Sequence, residues 1–128
     1  MSKQIIIPDN VHWPRAYSHA IKVGNTIYVS GQIPLDQEGN LVGKNDMAAQ
    51  TEQAYANLKR VLEAAGATMA DIVMLNIYCR DMEEFAQKTR DVRLKYLGRY
   101  HPAITAVEVS RLYSPDFLIE IEAVAVID

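Results

Sequence analysis

One cysteine, Cys79, stands in the whole chain, so no intramolecular disulfide can form and a reducing, cytoplasmic compartment is expected. No apolar run approaches the ~20 residues that a membrane-spanning helix needs. The opening stretch MSKQIIIPDN holds too short an apolar segment for a secretory signal. No run of Lys or Arg exists. With 13 basic against 16 acidic residues, a net charge of −3 leaves none of the basic footprint on which nucleic-acid binding draws. Linkers, low-complexity segments and internal repeats are also missing, so a single domain is expected over residues 1–128. His12, His19 and His101 lie far apart, with no HExxH and no Cys/His cluster at metal spacing. There is no G-x-S-x-G, no P-loop and no G-x-G-x-x-G. Metal, nucleic acid and membrane are therefore not expected as partners.

What is present is the composition expected of a soluble globular protein, 49% apolar and 23% charged. SHAIKV and TIYVSGQ, separated by Gly-Asn, read as an antiparallel pair on a tight turn, with Ile21, Val23, Ile27 and Val29 as its buried alternation. From about Asp46 the period changes. Met47, Thr51, Ala54, Leu58, Val61, Leu62 and Ala65 form one helical stripe, and Gly66 is the expected stop. DIVMLNIYCR reads as a strand burying Val73, Leu75, Ile77 and Cys79, which makes Cys79 a structural thiol. A second helix is expected over about Glu83–Leu97, with Phe85, Thr89, Val92 and Tyr96 along one side. ITAVEVSR and the terminal IEIEAVAV supply the last strands. The order is β-β-α-β-α-β-β, with a short extra strand at Gln4–Ile7.

The closing stretch DFLIEIEAVAVID sets the main question. On a strand, Ile119, Ile121, Ala123 and Ala125 share one face, an ordinary core pattern. Leu118, Glu120, Glu122, Val124 and Val126 share the other. Water alone does not call for those valines, and a sealed core does not tolerate unpaired glutamates. Two helices cover only one face of such a sheet. The second face, to which strand parity assigns Glu108, Glu120 and Glu122, is expected to be covered by identical subunits.

Three segments carry a family resemblance: YSHAIKVGNTIYVSGQIPLDQEGNLVG, QTEQAYANLKRVLEAAGA and PAITAVEVSRL…IEIEAVAV. From about Tyr17 to Val126 the chain resembles the Rid (YjgF) family. The resemblance implies a chorismate-mutase-like α/β fold, a homotrimer with its sheets inside and helices outside, and small-molecule clefts between subunits. It also implies hydrolysis of reactive enamines and imines to ketones and ammonia, without metal or organic cofactor.

One departure bears on substrate. In the family's deaminases the motif after the second helix reads Pro-Ala-Arg-Ser/Thr, whose arginine holds the substrate carboxylate. Here it reads Pro102-Ala103-Ile104-Thr105. A branched hydrocarbon replaces a two-pronged donor. The resemblance therefore implies a substrate other than small 2-imino acids, aminomuconate-like in one branch of the family. The alternative is a non-catalytic trimer that binds a small metabolite. A ribonuclease reading, attached to some family members, finds little support in the acidic composition.

By the resemblance, Glu120 takes the water-positioning role, with Glu122 as the other choice if the insertion in RLYSPDFLIEIE is placed differently. Tyr17 corresponds to a site tyrosine, and the VSGQ turn brings Ser30 and Gly31 to the cleft. Ile104 and Ala106 share the parity of Glu108 and are expected to face it. His19, two residues after Tyr17, is a candidate titratable donor. Arg15, Arg90 and Arg93 are candidate replacements for the missing arginine, and Arg93 is kept among the substrate-binding residues. Trp13 is a cleft wall or a plug over the subunit junction.

Overall fold

In a computed structural model, which describes residues 2–128, six strands form one mixed sheet. They are β1 (Lys3–Ile6), β2 (Ala20–Val23), β3 (Thr26–Gln32), β4 (Ile72–Cys79), β5 (Ala103–Glu108) and β6 (Ile119–Val126). The spatial order is β1-β2-β3-β6-β4-β5, antiparallel throughout except for β4 and β5. The helices are α1 (Met47–Ala64), α2 (Met82–Lys88) and α3 (Arg90–Leu97). A parallel strand pair needs a crossover long enough for a helix, and α2 with α3 supplies it between β4 and β5. No helix among the described residues is long and apolar enough to cross a membrane.

The core lies between the helices and one sheet face. Ala54, Leu58, Val61 and Leu62 of α1 pack with Ile27, Leu75, Ile119, Ile121 and Ala125, nearly all without exposed surface. Asp46 caps α1 by accepting from the Ala49 N–H at 3.1 Å. At the other end Gly66, at φ +84°, ends the helix as expected.

Several sequence expectations need correction. The buried side of β2 is Ala20 and Lys22, because these pair with Val29 and Ile27; Ile21 and Val23 take the opposite face. Lys22 tolerates the core side by running its stem across it and donating from Nζ to Ala65 O at 3.0 Å, at the end of α1. In β4 the ladder with β6 slips between Ile72 and Met74. That bulge turns Val73 outward and buries Ile72 in its place. VSGQ is no turn. It is the end of β3, bulged between Val29 and Gln32. Glu108 pairs across from Cys79, a buried residue, so it faces the helices, where its carboxylate accepts from the Met82 N–H at 2.9 Å. The second helix is broken at Thr89, whose buried hydroxyl donates to Phe85 O instead of facing solvent.

The face opposite the helices keeps its mixed character. Tyr28, Met74, Val107 and Val126 are exposed on it beside Glu120 and Glu122. Cys79 has no exposed surface, its thiol is pushed up chiefly by burial, and Sγ sits 3.6 Å from Val107 O. Such a thiol is held out of nucleophilic chemistry.

Candidate functional site

The irregular segment before β2, the bulge in β3 and the start of β6 meet around a cleft of about 890 Å³. Trp13, Arg15, Tyr17, Ser30, Gly31 and Glu120 line it. The β3 bulge adds one residue and so carries Ser30 and Gly31 past the normal alternation toward Glu120. Ser30 Oγ donates to Ser18 O at 2.9 Å, which holds the bulge to the segment bearing Tyr17.

Gly31 is there for space. A Cβ at this position would lie 2.0 Å from Glu120 Oε2 and 2.6 Å from its Cδ. The carboxylate end is flexible, so Gly31→Ala is expected to leave the melting temperature nearly unchanged while displacing Glu120. If the carboxylate acts on substrate, a shift of about 1 Å costs about 100-fold in turnover. Parallel melting and turnover assays check the pairing of those two results.

The two candidate carboxylates have different surroundings. Glu122 Oε1 accepts from Tyr78 hydroxyl at 2.7 Å and from Asn76 Nδ2 at 3.2 Å. Glu120 opens on the cleft, and its carboxyl is raised above the ordinary 4.5 by burial first and by the charge of Glu122 second. Burial, with Glu120 second, likewise raises the Tyr17 phenol.

Behind Tyr17 is a polar relay that the sequence did not disclose. His12, 5% exposed, places Nε2 2.9 Å from the Tyr17 hydroxyl. His19 Nε2–H donates to His12 O at 2.8 Å, and its Nδ1 accepts from Gln32 Nε2 at 3.2 Å. Those partners fix the tautomer of His19 and keep it neutral; burial lowers its pKa, partly opposed by the bond to His12 O. Burial and the neighbouring His19 also lower His12. His19, 1% exposed, thus lies behind the cleft wall and not on it. The segment carrying Tyr17 is not extended, so spacing by two does not put both side chains on one surface. Because residues 9–18 follow no helical or strand period, no pattern pointed to His12.

Ile104, Ala106 and Arg93 are elsewhere. Ile104 and Ala106 pair with the buried Leu75 and Ile77, so they face the helices, against the expectation drawn from Glu108 and the open face. Together with Arg90 and Arg93 they line a separate cavity beside α3. Arg15 is the cation that shares a cleft with Tyr17 and Glu120. Among the described residues none lines both spaces, so the expected site residues fall into two groups within one chain.

The chain is similar to known proteins over nearly its whole length. The family model described as Endoribonuclease L-PSP matches residues 10–127. A RutC family protein of Pyrococcus abyssi is 45% identical over 126 residues, 98% of each chain. The 3-aminoacrylate deaminase RutC of Acinetobacter baylyi is 37% identical over 126 residues, again 98% of each chain. Among solved structures, RidA of an Antarctic Psychrobacter superposes with a TM-score of 0.88 at 36% identity, over 97% of this chain and 99% of that one. The sheet order and a match from residue 10 to residue 127 lead to one assignment: the chain belongs to the Endoribonuclease L-PSP family, the Rid and RutC proteins.

Proposed function

We propose that this protein is a cofactor-independent hydrolase that deaminates a reactive enamine or imine other than a small 2-imino acid, at clefts between the subunits of a homotrimer. The observation that carries the reading is Glu120: a cleft carboxyl with a raised pKa, beside Tyr17, while the neighbouring Glu122 is engaged by Tyr78 and Asn76. The kinship with a 3-aminoacrylate deaminase supports the reaction class. The split between the two groups of site residues supports the assembly. A second copy presenting β5 and α3 to the Tyr17–Glu120 cleft would unite them, and the exposed apolar residues of the open sheet face give the copies a surface to share.

The chemistry follows from a carboxyl whose pKa is raised by burial and by Glu122, so that it keeps its proton to higher pH than an ordinary carboxyl. Protonated Glu120 gives its proton to the nitrogen of an imine or to the carbon of an enamine, and either transfer yields the iminium ion. The resulting carboxylate then accepts a proton from water as its oxygen bonds to the carbon of the C=N group. Glu120, protonated again, gives that proton to the carbinolamine nitrogen; the C–N bond breaks with its electrons on nitrogen, the hydroxyl proton returns to the carboxylate, and ammonia leaves. Water and imine are consumed; ketone and ammonia are formed. Tyr17 supports this from the wall. A proton on His12 Nε2 makes the imidazole a donor to the tyrosine oxygen, which frees the Tyr17 O–H to point at the substrate.

Ile104 defines the substrate side. Ammonia release should be followed over a panel from small 2-imino acids to an aminomuconate-like amine. Ile104→Arg is expected to raise activity on small 2-imino acids by about 10- to 100-fold, the value of a charged hydrogen bond to the carboxylate, and to lower it on the long substrate. Saturable binding with no ammonia from any substrate, in wild type and variant alike, would put a metabolite-binding trimer in first place.

A further inference from the structure

The space beside α3 is a cavity of about 300 Å³ with apolar walls and a basic rim. Ile77, Phe85, Leu94, Leu97 and Ile104 make the walls; Arg90, Arg93 and His101 make the rim, and no Asp or Glu lines it. Arg93 is held in place. Its Cζ lies 4.9 Å from the centre of the Phe85 ring, and Nε donates to Thr89 Oγ1 at 3.1 Å. The Thr89 hydroxyl that breaks the second helix is thus also the group that aims this guanidinium. Nη2 reaches Ala86 O at 3.5 Å, and neither Arg90 nor Arg93 is ion-paired among the described residues.

A second, independent feature of the same cavity is Tyr55. The residue has no exposed surface, lines the cavity, and its hydroxyl has no hydrogen-bond partner among the described residues. A buried donor left unpaired costs on the order of 1–3 kcal/mol. Such a group is retained at no cost only where something else accepts its proton.

We infer that this cavity binds the carboxylate of an acid with an apolar chain, held by the Arg93 guanidinium with Arg90 and the Tyr55 hydroxyl as further donors. The planar fork of an arginine suits a carboxylate, and the hydrocarbon walls suit a chain with no other charge. The inference deepens the proposed function and rests on it in one respect, that Ile104 borders the substrate. A carboxylate bonded directly to the reacting carbon meets only hydrocarbon at Ile104. One carried at the far end of an apolar chain reaches the basic rim. The substrate class is therefore an enamine or imine acid whose carboxylate is separated from the C=N carbon by an apolar spacer.

Hexanoate, hexan-1-ol and hexylamine test this without turnover, by calorimetric titration of the assembled protein and by amide shifts of Leu94, Leu97 and Ile104. Hexanoate is expected to bind about tenfold or more tighter than hexan-1-ol and to shift those amides. Arg93→Gln should weaken hexanoate by about 10- to 100-fold and leave hexan-1-ol unchanged, with Arg93→Lys restoring only part of the loss. Tyr55→Phe, which removes one oxygen, keeps the test open should Arg93→Gln fail to fold; it is expected to weaken hexanoate several-fold. Equal binding of hexanoate and hexan-1-ol, or wild-type affinity in both variants, overturns the inference. Failure of the two readings is separable. Loss of turnover in Glu120→Gln without a hexanoate preference removes this inference alone; hexanoate binding with turnover unaffected by Glu120→Gln removes the hydrolase reading alone.

Discussion

Replacing Glu120 with glutamine is expected to lower kcat for any accepted enamine or imine by about 10²- to 10⁴-fold, the usual contribution of a positioned acid–base group. The change keeps the size and one acceptor of the side chain, so ligand affinity should hold while turnover falls. Glutamine can neither give a proton to nitrogen nor take one from water. Unchanged turnover across the substrate panel would falsify the mechanism.

The same substitution should make the protein more stable at pH above the raised value of Glu120, because it removes a carboxyl that is costly to ionise in the fold. Glu120 is raised above 4.5 by burial and by Glu122. Between the ordinary value and the raised one, the folded protein holds a proton that the unfolded chain has lost. Stability therefore falls as pH rises through that window. Glutamine has no such proton. The melting temperature of Glu120→Gln should exceed that of wild type above the window, and the gap should close as pH falls below the ordinary carboxylate range. A variant that is both slower and more stable marks a carboxylate kept at some expense to the fold. If the variant melts lower above the window, Glu120 is a structural partner instead.

The largest effect on stability is expected at Gln50, which has no exposed surface. Its Nε2 donates to Gly43 O at 3.1 Å and to Asp116 O at 2.9 Å, and its Oε1 accepts from the Leu118 N–H at 2.7 Å. One side chain thus ties the loop before α1 to the segment that enters β6. Gln50→Leu keeps the volume and leaves three backbone groups without their partner. The expected loss is about 3–5 kcal/mol, read as a lower urea midpoint at fixed protein concentration with an unchanged m value. A loss of less than about 0.5 kcal/mol would mean that other groups or water take over all three bonds. Because Leu118 leads directly to Glu120, turnover should also fall at temperatures where the variant remains folded.

The long regular elements were legible. The stripe from Met47 to Ala65, the stop at Gly66 and the alternation of β6 are repeated signals, and each neighbour reinforces the next. Errors gathered where one residue breaks the count. The bulge at Val73 shifts parity for the start of β4, and the one at Ser30–Gly31 lies at the end of the expected strand TIYVSGQ, where VSGQ also read as a turn. Lys22 takes a core-side position because Ala65 O gives its ammonium a partner 43 residues away, a contact that local hydropathy does not contain. Thr89 suits a helix stripe by polarity and size, yet its hydroxyl bond to Phe85 O ends one helix and starts another.

The site was legible by halves. Tyr17, Ser30, Gly31 and Glu120 gather in one cleft, and all four came from the family resemblance, with strand parity adding to it for Glu120. His12 stayed hidden because its role depends on an irregular segment folding back on itself. Ile104 and Ala106 were put on the open face because strand parity was counted from Glu108. Its carboxylate in fact caps α2 on the helical side.

The separation of the two cavity linings has a consequence for descent. In the proposed trimer, the groups that break the C–N bond and the groups that grip the rest of the molecule belong to different elements of the chain. Mutations in β5 and α3 can then retune which metabolite is accepted while leaving Tyr17, Gly31 and Glu120 under unchanged selection. A lineage of such trimers can exchange one substrate for another by altering a few positions, and every subunit inherits the new preference at once.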